Sequence, residues 1–125
     1  MIVIDSSVVV AGLADPGDAR RVLEEEDLAA PHLLDVEIGH AFRGLVFRDR
    51  LSVSRAQVLL ERWCAMSISR FPAVDLLPRV WDLRDNLTAY DATYVALAES
   101  LDVALVTGDA RIAGAPDLRC SVVVV

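Results

Sequence analysis

The sequence predicts an α/β domain with a mainly parallel sheet, and three observations carry that expectation. Short apolar runs recur along the chain (Ile2-Val3-Ile4, Val103–Val106 and Ser121–Val125), each brief and uninterrupted in the manner of a strand buried on both faces. Between them lie segments whose apolar residues repeat at three- and four-residue steps, as helices packed on a sheet require. Breakers stand at the handovers: Asp15-Pro16-Gly17-Asp18, Pro31, Pro72 and Asn86-Leu87.

Taken in order, Ile2–Ile4 reads as a buried strand ending at Asp5, and Ser6–Leu13 as a helix that starts immediately after it. Ala19–Asp27 reads as a second, largely solvated helix. Pro31 precedes a longer amphipathic helix, Leu33–Arg48, in which Leu34, Ile38, Ala41, Phe42 and Leu45 share one stripe. Ser54-Arg55-Ala56-Gln57 has the form of a capping box with Val53 as its staple, and opens a helix to about Met66. Ile68–Phe71 is a strand closed by Pro72. Asp75 is expected to cap a helix with Pro78 in its first turn, where a missing N–H costs little. Thr88–Ser100 is the next helix, Val103–Val106 a strand, Ala110–Ala113 a short helical turn, and Ser121–Val125 a final strand.

At 125 residues the chain fits one domain, residues 1–125, with no internal repeat or linker. Its 54% hydrophobic content is more than a domain of this size hides easily, which suggests a partner surface and makes a lone monomer the less favoured state. No apolar run has the roughly 18 residues of a membrane span, and no basic stretch precedes an apolar one at the N-terminus. Cys64 and Cys120 have no metal-ligand or framework spacing, which fits a reduced, cytoplasmic protein. Every basic residue is arginine. The absence of lysine excludes P-loop phosphate chemistry, Schiff bases and Ser–Lys dyads. A net charge of −7 argues against a broad basic field for nucleic acid, so a polyanionic substrate would need a bound cation to offset repulsion.

Four acids stand out by position. Asp5 ends the first strand, where a parallel sheet presents its functional groups, and Asp109 follows Val103–Val106 through Thr107-Gly108. Glu37 falls on the core-facing arc of its helix, and Asp91 shares a helical face with Val95 and Ala98. A carboxylate on an apolar face carries a desolvation cost unless something compensates it, and oxygen-rich clusters suit hard cations such as Mg²⁺ or Mn²⁺. Each acid also has an ordinary role. Asp5 and Asp109 suit helix caps, Thr88-Ala89-Tyr90-Asp91 is itself a capping box, and Glu37 sits where a side chain can reach out past the stripe. Other acid-centred α/β enzymes fit poorly. A haloacid-dehalogenase-like site wants a second aspartate at position 7, which is Ser7, and a receiver domain needs a lysine.

The ordered set Val3-Ile4-Asp5-Ser6-Ser7, Asp35-Val36-Glu37-Ile38, Leu87-Thr88-Ala89-Tyr90-Asp91-Ala92-Thr93-Tyr94 and Leu105-Val106-Thr107-Gly108-Asp109 resembles a PIN-domain ribonuclease, of the VapC toxin type, from the first strand to the last. The resemblance implies a three-layer α/β/α fold and an endoribonuclease toxin. It also implies that Asp5, Glu37, Asp91 and Asp109 hold Mg²⁺ or Mn²⁺, one or two ions, with the Ser6 and Thr107 hydroxyls in support. It further implies an RNA substrate, homodimers and inhibition by a cognate VapB-type antitoxin. An antitoxin arm is expected across an apolar groove lined partly by Ala19–Asp27 and the Glu37 helix, with an antitoxin arginine displacing or competing with metal at the acids. The alternative is a noncatalytic module on the same scaffold. Arg43, Arg48 and Arg50 offer phosphate contacts, though a solvated helix face suits them better. His32 and His40 lack zinc spacing. Trp63, Trp81, Phe42, Phe47 and Phe71 suit core or interface better than base stacking.

Overall fold

The computed structural model describes residues 1–125 as five strands and seven α-helices in alternation. The strands are β1 (Ile2–Ile4), β2 (Leu28–Pro31), β3 (Ser69–Phe71), β4 (Leu105–Thr107) and β5 (Val122–Val124). The helices are α1 (Ser6–Ala14), α2 (Asp18–Glu25), α3 (Leu33–Phe47), α4 (Val53–Ala65), α5 (Leu77–Asp82), α6 (Ala89–Leu101) and α7 (Ala110–Ala113), with a 3-10 turn at Val74–Leu76. All strands are parallel, in the order β3-β2-β1-β4-β5.

That order fixes where a site can form. From β1 the chain moves outward to β2 and β3 through α1–α4, then returns past β1 to β4 and β5 through α5–α7. Right-handed crossovers therefore place α1–α4 on one face and α5–α6 on the other, a three-layer α/β/α sandwich. The direction of winding reverses between β1 and β4, and the helices leaving these two strands part to opposite faces. A crevice opens at the strands' carboxyl ends. Pairing of Val3 with Leu105 and Ile4 with Val106 brings Asp5 level with Thr107 at that edge.

The core follows the sheet. Val3, Ile4, Ala29, Ala30, Leu105 and Val106 are buried between Leu34, Ile38 and Phe42 of α3 and an α6 that is buried from Ala92 to Ala98. Gly12 lets α2 lie close on α1, because a Cβ there would stand 2.6 Å from Leu23 Cδ1 and 2.9 Å from the Ala19 carbonyl oxygen.

Three local expectations need correction. β2 was not anticipated: Leu28-Ala29-Ala30-Pro31 carries weak strand formers and a proline, yet all four residues are buried between β1 and β3, and burial overrides propensity. α4 is capped by Ser52, whose hydroxyl accepts the Arg55 N–H at 3.1 Å, rather than by Ser54. Asp75 lies inside the 3-10 turn and caps nothing; α5 begins two residues later, with Pro78 in its first turn. Among the aromatics, Phe42 and Trp63 are core, whereas Phe47 and Trp81 are exposed.

Candidate active site at the β1–β4 edge

Asp5 is the most constrained of the four acids. It is 6% exposed and caps α1, its Oδ1 accepting the N–H groups of Ser7 (3.1 Å) and Val8 (3.2 Å). The Ser7 hydroxyl donates to the same oxygen at 2.5 Å, and the Thr107 hydroxyl donates to Oδ2 at 2.5 Å. Both hydroxyls also accept from the β4–α7 turn: Ser7 Oγ from Gly108 N–H (2.7 Å) and Thr107 Oγ1 from Asp109 N–H (3.0 Å). Asp5 is thus tied to two strand ends that lie far apart in the chain.

Glu37 projects from the second turn of α3 toward the same edge. Its Oε1 accepts the Tyr94 hydroxyl at 3.0 Å and its Oε2 the Ser6 hydroxyl at 3.2 Å. Burial pushes its carboxyl above the usual range; Tyr94 and Ser6 pull it back, while the charges of Asp91 and Asp5 push it up again. Asp91 sits one turn before Tyr94 on α6, and its N–H donates to the capping hydroxyl of Thr88 at 3.2 Å. Burial, and then repulsion from Asp109 and Asp5, raises its carboxyl above the ordinary aspartate range. Asp109 caps α7 and is held by the Arg111 guanidinium, with Nε at 3.0 and 3.2 Å and Nη2 at 2.7 Å from its oxygens. That arginine depresses its carboxyl.

The four acids therefore share one electrostatic neighbourhood at the expected edge, and Ser6 and Thr107 donate to two of them. No three of them close on one point as ready-made metal ligands. The donor set still suits a hard divalent ion: carboxylate oxygens gathered without enough positive charge, two of them raised by burial and then by neighbouring acids. The short list of neutral donors leaves lone pairs on Glu37 and Asp91 for such an ion.

Sequence reasoning missed Ser7, Tyr94 and Arg111. Tyr94 was legible as the residue one turn beyond Asp91 on the same face; Ser7 and Arg111 carried no comparable signal. Arg43, Arg48 and Arg50 hydrogen-bond none of the four acids. The Arg43 guanidinium stands 4.4 Å from the Phe47 ring centroid, Arg48 folds back over Gly44, and Arg50 lies beyond the end of α3. A cleft of about 500 Å³ opens beside Glu37, bounded by Leu33, Val36, His40 and Tyr90. A larger apolar groove, about 560 Å³, lies between α3 and α4 rather than between α2 and α3. α2 turns Leu23 inward onto Gly12 and leaves Asp18, Arg21 and Glu25 in solvent.

A family model described as "PIN domain" matches residues 2–118. The chain belongs to the PIN-domain family. Among relatives of this PIN domain, a protein from Mycobacterium bovis described as VapC ribonuclease Mb0985 is 44% identical, covering all of this chain and 98% of its own length. Of solved structures, PAE2754 from Pyrobaculum aerophilum superposes with a TM-score of 0.74 at 25% identity, over 98% of this chain and 83% of that one. A toxin–antitoxin complex from Klebsiella pneumoniae superposes with a TM-score of 0.61 at 18% identity, over 87% of each chain, a likeness of fold alone. No helix of this PIN domain is long and apolar enough to cross a membrane.

Proposed function

We propose that this PIN domain is a divalent-metal-dependent endoribonuclease toxin that a VapB-type antitoxin neutralises. The observation that carries the reading is the gathering of Asp5, Glu37, Asp91 and Asp109 at the β1–β4 switch point, where Glu37 and Asp91 are raised by burial and by the other acids. Asp5, Glu37, Asp91 and Asp109 would hold Mg²⁺ or Mn²⁺. Bound there, such an ion makes water more acidic and offsets the charge that develops on a phosphodiester during hydrolysis.

The chain's own residues prepare that chemistry. Ser7 and Thr107 fix Asp5 in one rotamer between two strand ends. Tyr94 and Ser6 orient Glu37 through its two oxygens. The cleft between Glu37 and the 61%-exposed Tyr90 admits an unpaired nucleotide beside the acids. RNA as substrate rests on the 44% identity to a VapC ribonuclease. The antitoxin rests on that relationship and on the fold shared with the toxin–antitoxin complex. Exposed Phe47, Val53 and Val58 on α3 and α4 favour pairing of two copies, which sedimentation equilibrium tests.

The deciding experiment incubates the purified chain with labelled RNA and Mg²⁺ or Mn²⁺, with and without EDTA, beside Asp91→Asn. Asp91 is the better variant because its carboxylate has fewer structural duties than that of Asp5, which caps α1 and receives Thr107. Cleavage abolished by EDTA and by Asp91→Asn is expected. Cleavage that survives both overturns the reading, and absence of any cleavage favours a noncatalytic binding module.

A further inference from the structure

We propose that Arg111 is a phosphate-binding residue of the active site, held on Asp109 and released to the RNA when a divalent ion takes Asp109. The proposal rests on the metal-dependent nuclease reading above and goes beyond it by giving the site an internal counter-ion with two alternative partners.

The geometry is specific. Asp109 ends the β4–α7 turn, and its Oδ1 already accepts the Arg111 backbone N–H at 2.9 Å. The Arg111 side chain then curls back so that Nε and Nη2 meet both carboxylate oxygens, a fork-to-fork pair. No other arginine hydrogen-bonds any of the four acids, and Arg111 also lowers Asp91 by its charge. It is therefore the cation of this site. Its side chain is 89% exposed while that of Asp109 is 26% exposed, so the pair sits at the rim, open to water on the guanidinium side. An ion pair so exposed is screened and readily exchanged.

The pairing engages both oxygens of Asp109 with the guanidinium. A divalent ion that recruits Asp109 must displace the guanidinium, and two positive centres then repel. The freed arginine stays tethered at the rim of the cation site, where the substrate backbone must pass. Its planar fork matches two oxygens of a phosphate, and with no lysine anywhere in the chain a phosphate contact here falls to arginine. Before metal arrives, the same residue offsets carboxylate repulsion.

The test uses the full chain and compares wild type with Arg111→Gln and Arg111→Lys. Mn²⁺ is titrated calorimetrically without RNA, and binding of a fluorescein-labelled mixed-sequence RNA is followed by anisotropy in Ca²⁺ across a salt series. Arg111→Gln is expected to bind Mn²⁺ more tightly than wild type, since the competing cation is gone. The same variant is expected to bind RNA about tenfold more weakly, the loss of one charge-assisted contact, with a salt slope smaller by about 0.7. Arg111→Lys should keep the wild-type salt slope and Mn²⁺ affinity while recovering only part of the RNA affinity, because it keeps the charge without the fork. Unchanged or weaker Mn²⁺ binding in Arg111→Gln, or an unchanged salt slope, overturns the proposal while leaving the nuclease reading intact. A wild-type chain that binds no Mn²⁺ overturns both.

Discussion

Tyr94→Phe isolates what one hydroxyl does for Glu37. Tyr94 is 1% exposed, so phenylalanine fits the same space with a single oxygen removed and the surrounding core unchanged. What is lost is the donor to Glu37 Oε1 at 3.0 Å, leaving Ser6 on the other oxygen at 3.2 Å. A hydrogen bond to an ionised group contributes about 1.5–3 kcal/mol, and the half-buried carboxylate and ordinary distance place this one near the lower end. About 1.5 kcal/mol is roughly tenfold in an equilibrium constant, within the 10–100-fold that loss of an orienting partner costs a metal site. The sign is set by orientation. Tyr94 holds one oxygen of Glu37 in place, and without it the carboxylate must be ordered again before it can hold a cation. Calorimetric titration with Mn²⁺ at pH 7 should show about tenfold weaker binding for Tyr94→Phe. The longer, more exposed Ser6 contact predicts a smaller loss for Ser6→Ala. Equal affinities in wild type and Tyr94→Phe, with circular dichroism confirming the fold, would refute the reasoning.

Three further outcomes are expected. Mg²⁺ or Mn²⁺ should raise the melting temperature of the wild-type chain, and Asp91→Asn or Asp109→Asn should shrink that gain; an identical gain in every variant separates the cation from the acids. The Glu99 side chain is largely covered, which by itself raises its carboxyl, but Arg79 at 2.7 and 3.1 Å and the Arg119 N–H at 2.8 Å bring it below the usual range. A depressed folded value means stability that is present above about pH 4.3, the ordinary glutamate range, and lost as pH falls through the lowered value. Glu99→Gln should therefore cost about 2–4 kcal/mol at pH 7 and clearly less at pH 3 in denaturant titrations, and equal losses at both pH values would contradict the assignment. Gly12→Ala should destabilise by about 1–3 kcal/mol, because its methyl would meet the Ala19 carbonyl, a backbone atom that cannot swing aside; an unchanged melting temperature would show that α1 and α2 separate freely.

Position along the chain was enough to find the acids, because a strand end in a parallel sheet is a one-dimensional feature. Asp5 after Ile2–Ile4 and Asp109 after β4 were legible for that reason. The requirement that β1 and β4 be neighbours was not, and the pairing of Ile4 with Val106 supplies it. Glu37 and Asp91 were legible as polar interruptions of apolar helix faces. β2 was hidden because two alanines and a proline signal a strand only once β1 and β3 enclose them. The apolar groove between α3 and α4 was not anticipated, because amphipathicity shows which face of a helix is apolar but not which neighbour leaves it open.

What remained illegible has a common physical origin: the bonds that tune each acid cross long stretches of chain. Thr107 reaches Asp5 over 102 residues, Tyr94 reaches Glu37 over 57, and Ser6 reaches Glu37 over 31. Spacing rules register only the local partners, so they gave Asp5, Asp91 and Asp109 their capping roles and stopped there. In the structure Asp5 and Asp109 are caps with oxygens that also meet partners other than the backbone N–H groups they cap. Asp5 donates no proton and accepts at both oxygens from backbone and hydroxyl groups, which holds it rigid. Asp109, capping the four-residue α7 at the rim, pairs with an exposed arginine that solvent or a cation can displace. Capping fixes the direction of the Asp5 and Asp109 carboxylates, and the strength of the remaining partner decides how freely each would turn to a metal. By that measure Asp5 is the anchor of the site and Asp109 its movable arm, so a cation should order the β4–α7 turn far more than the β1–α1 turn.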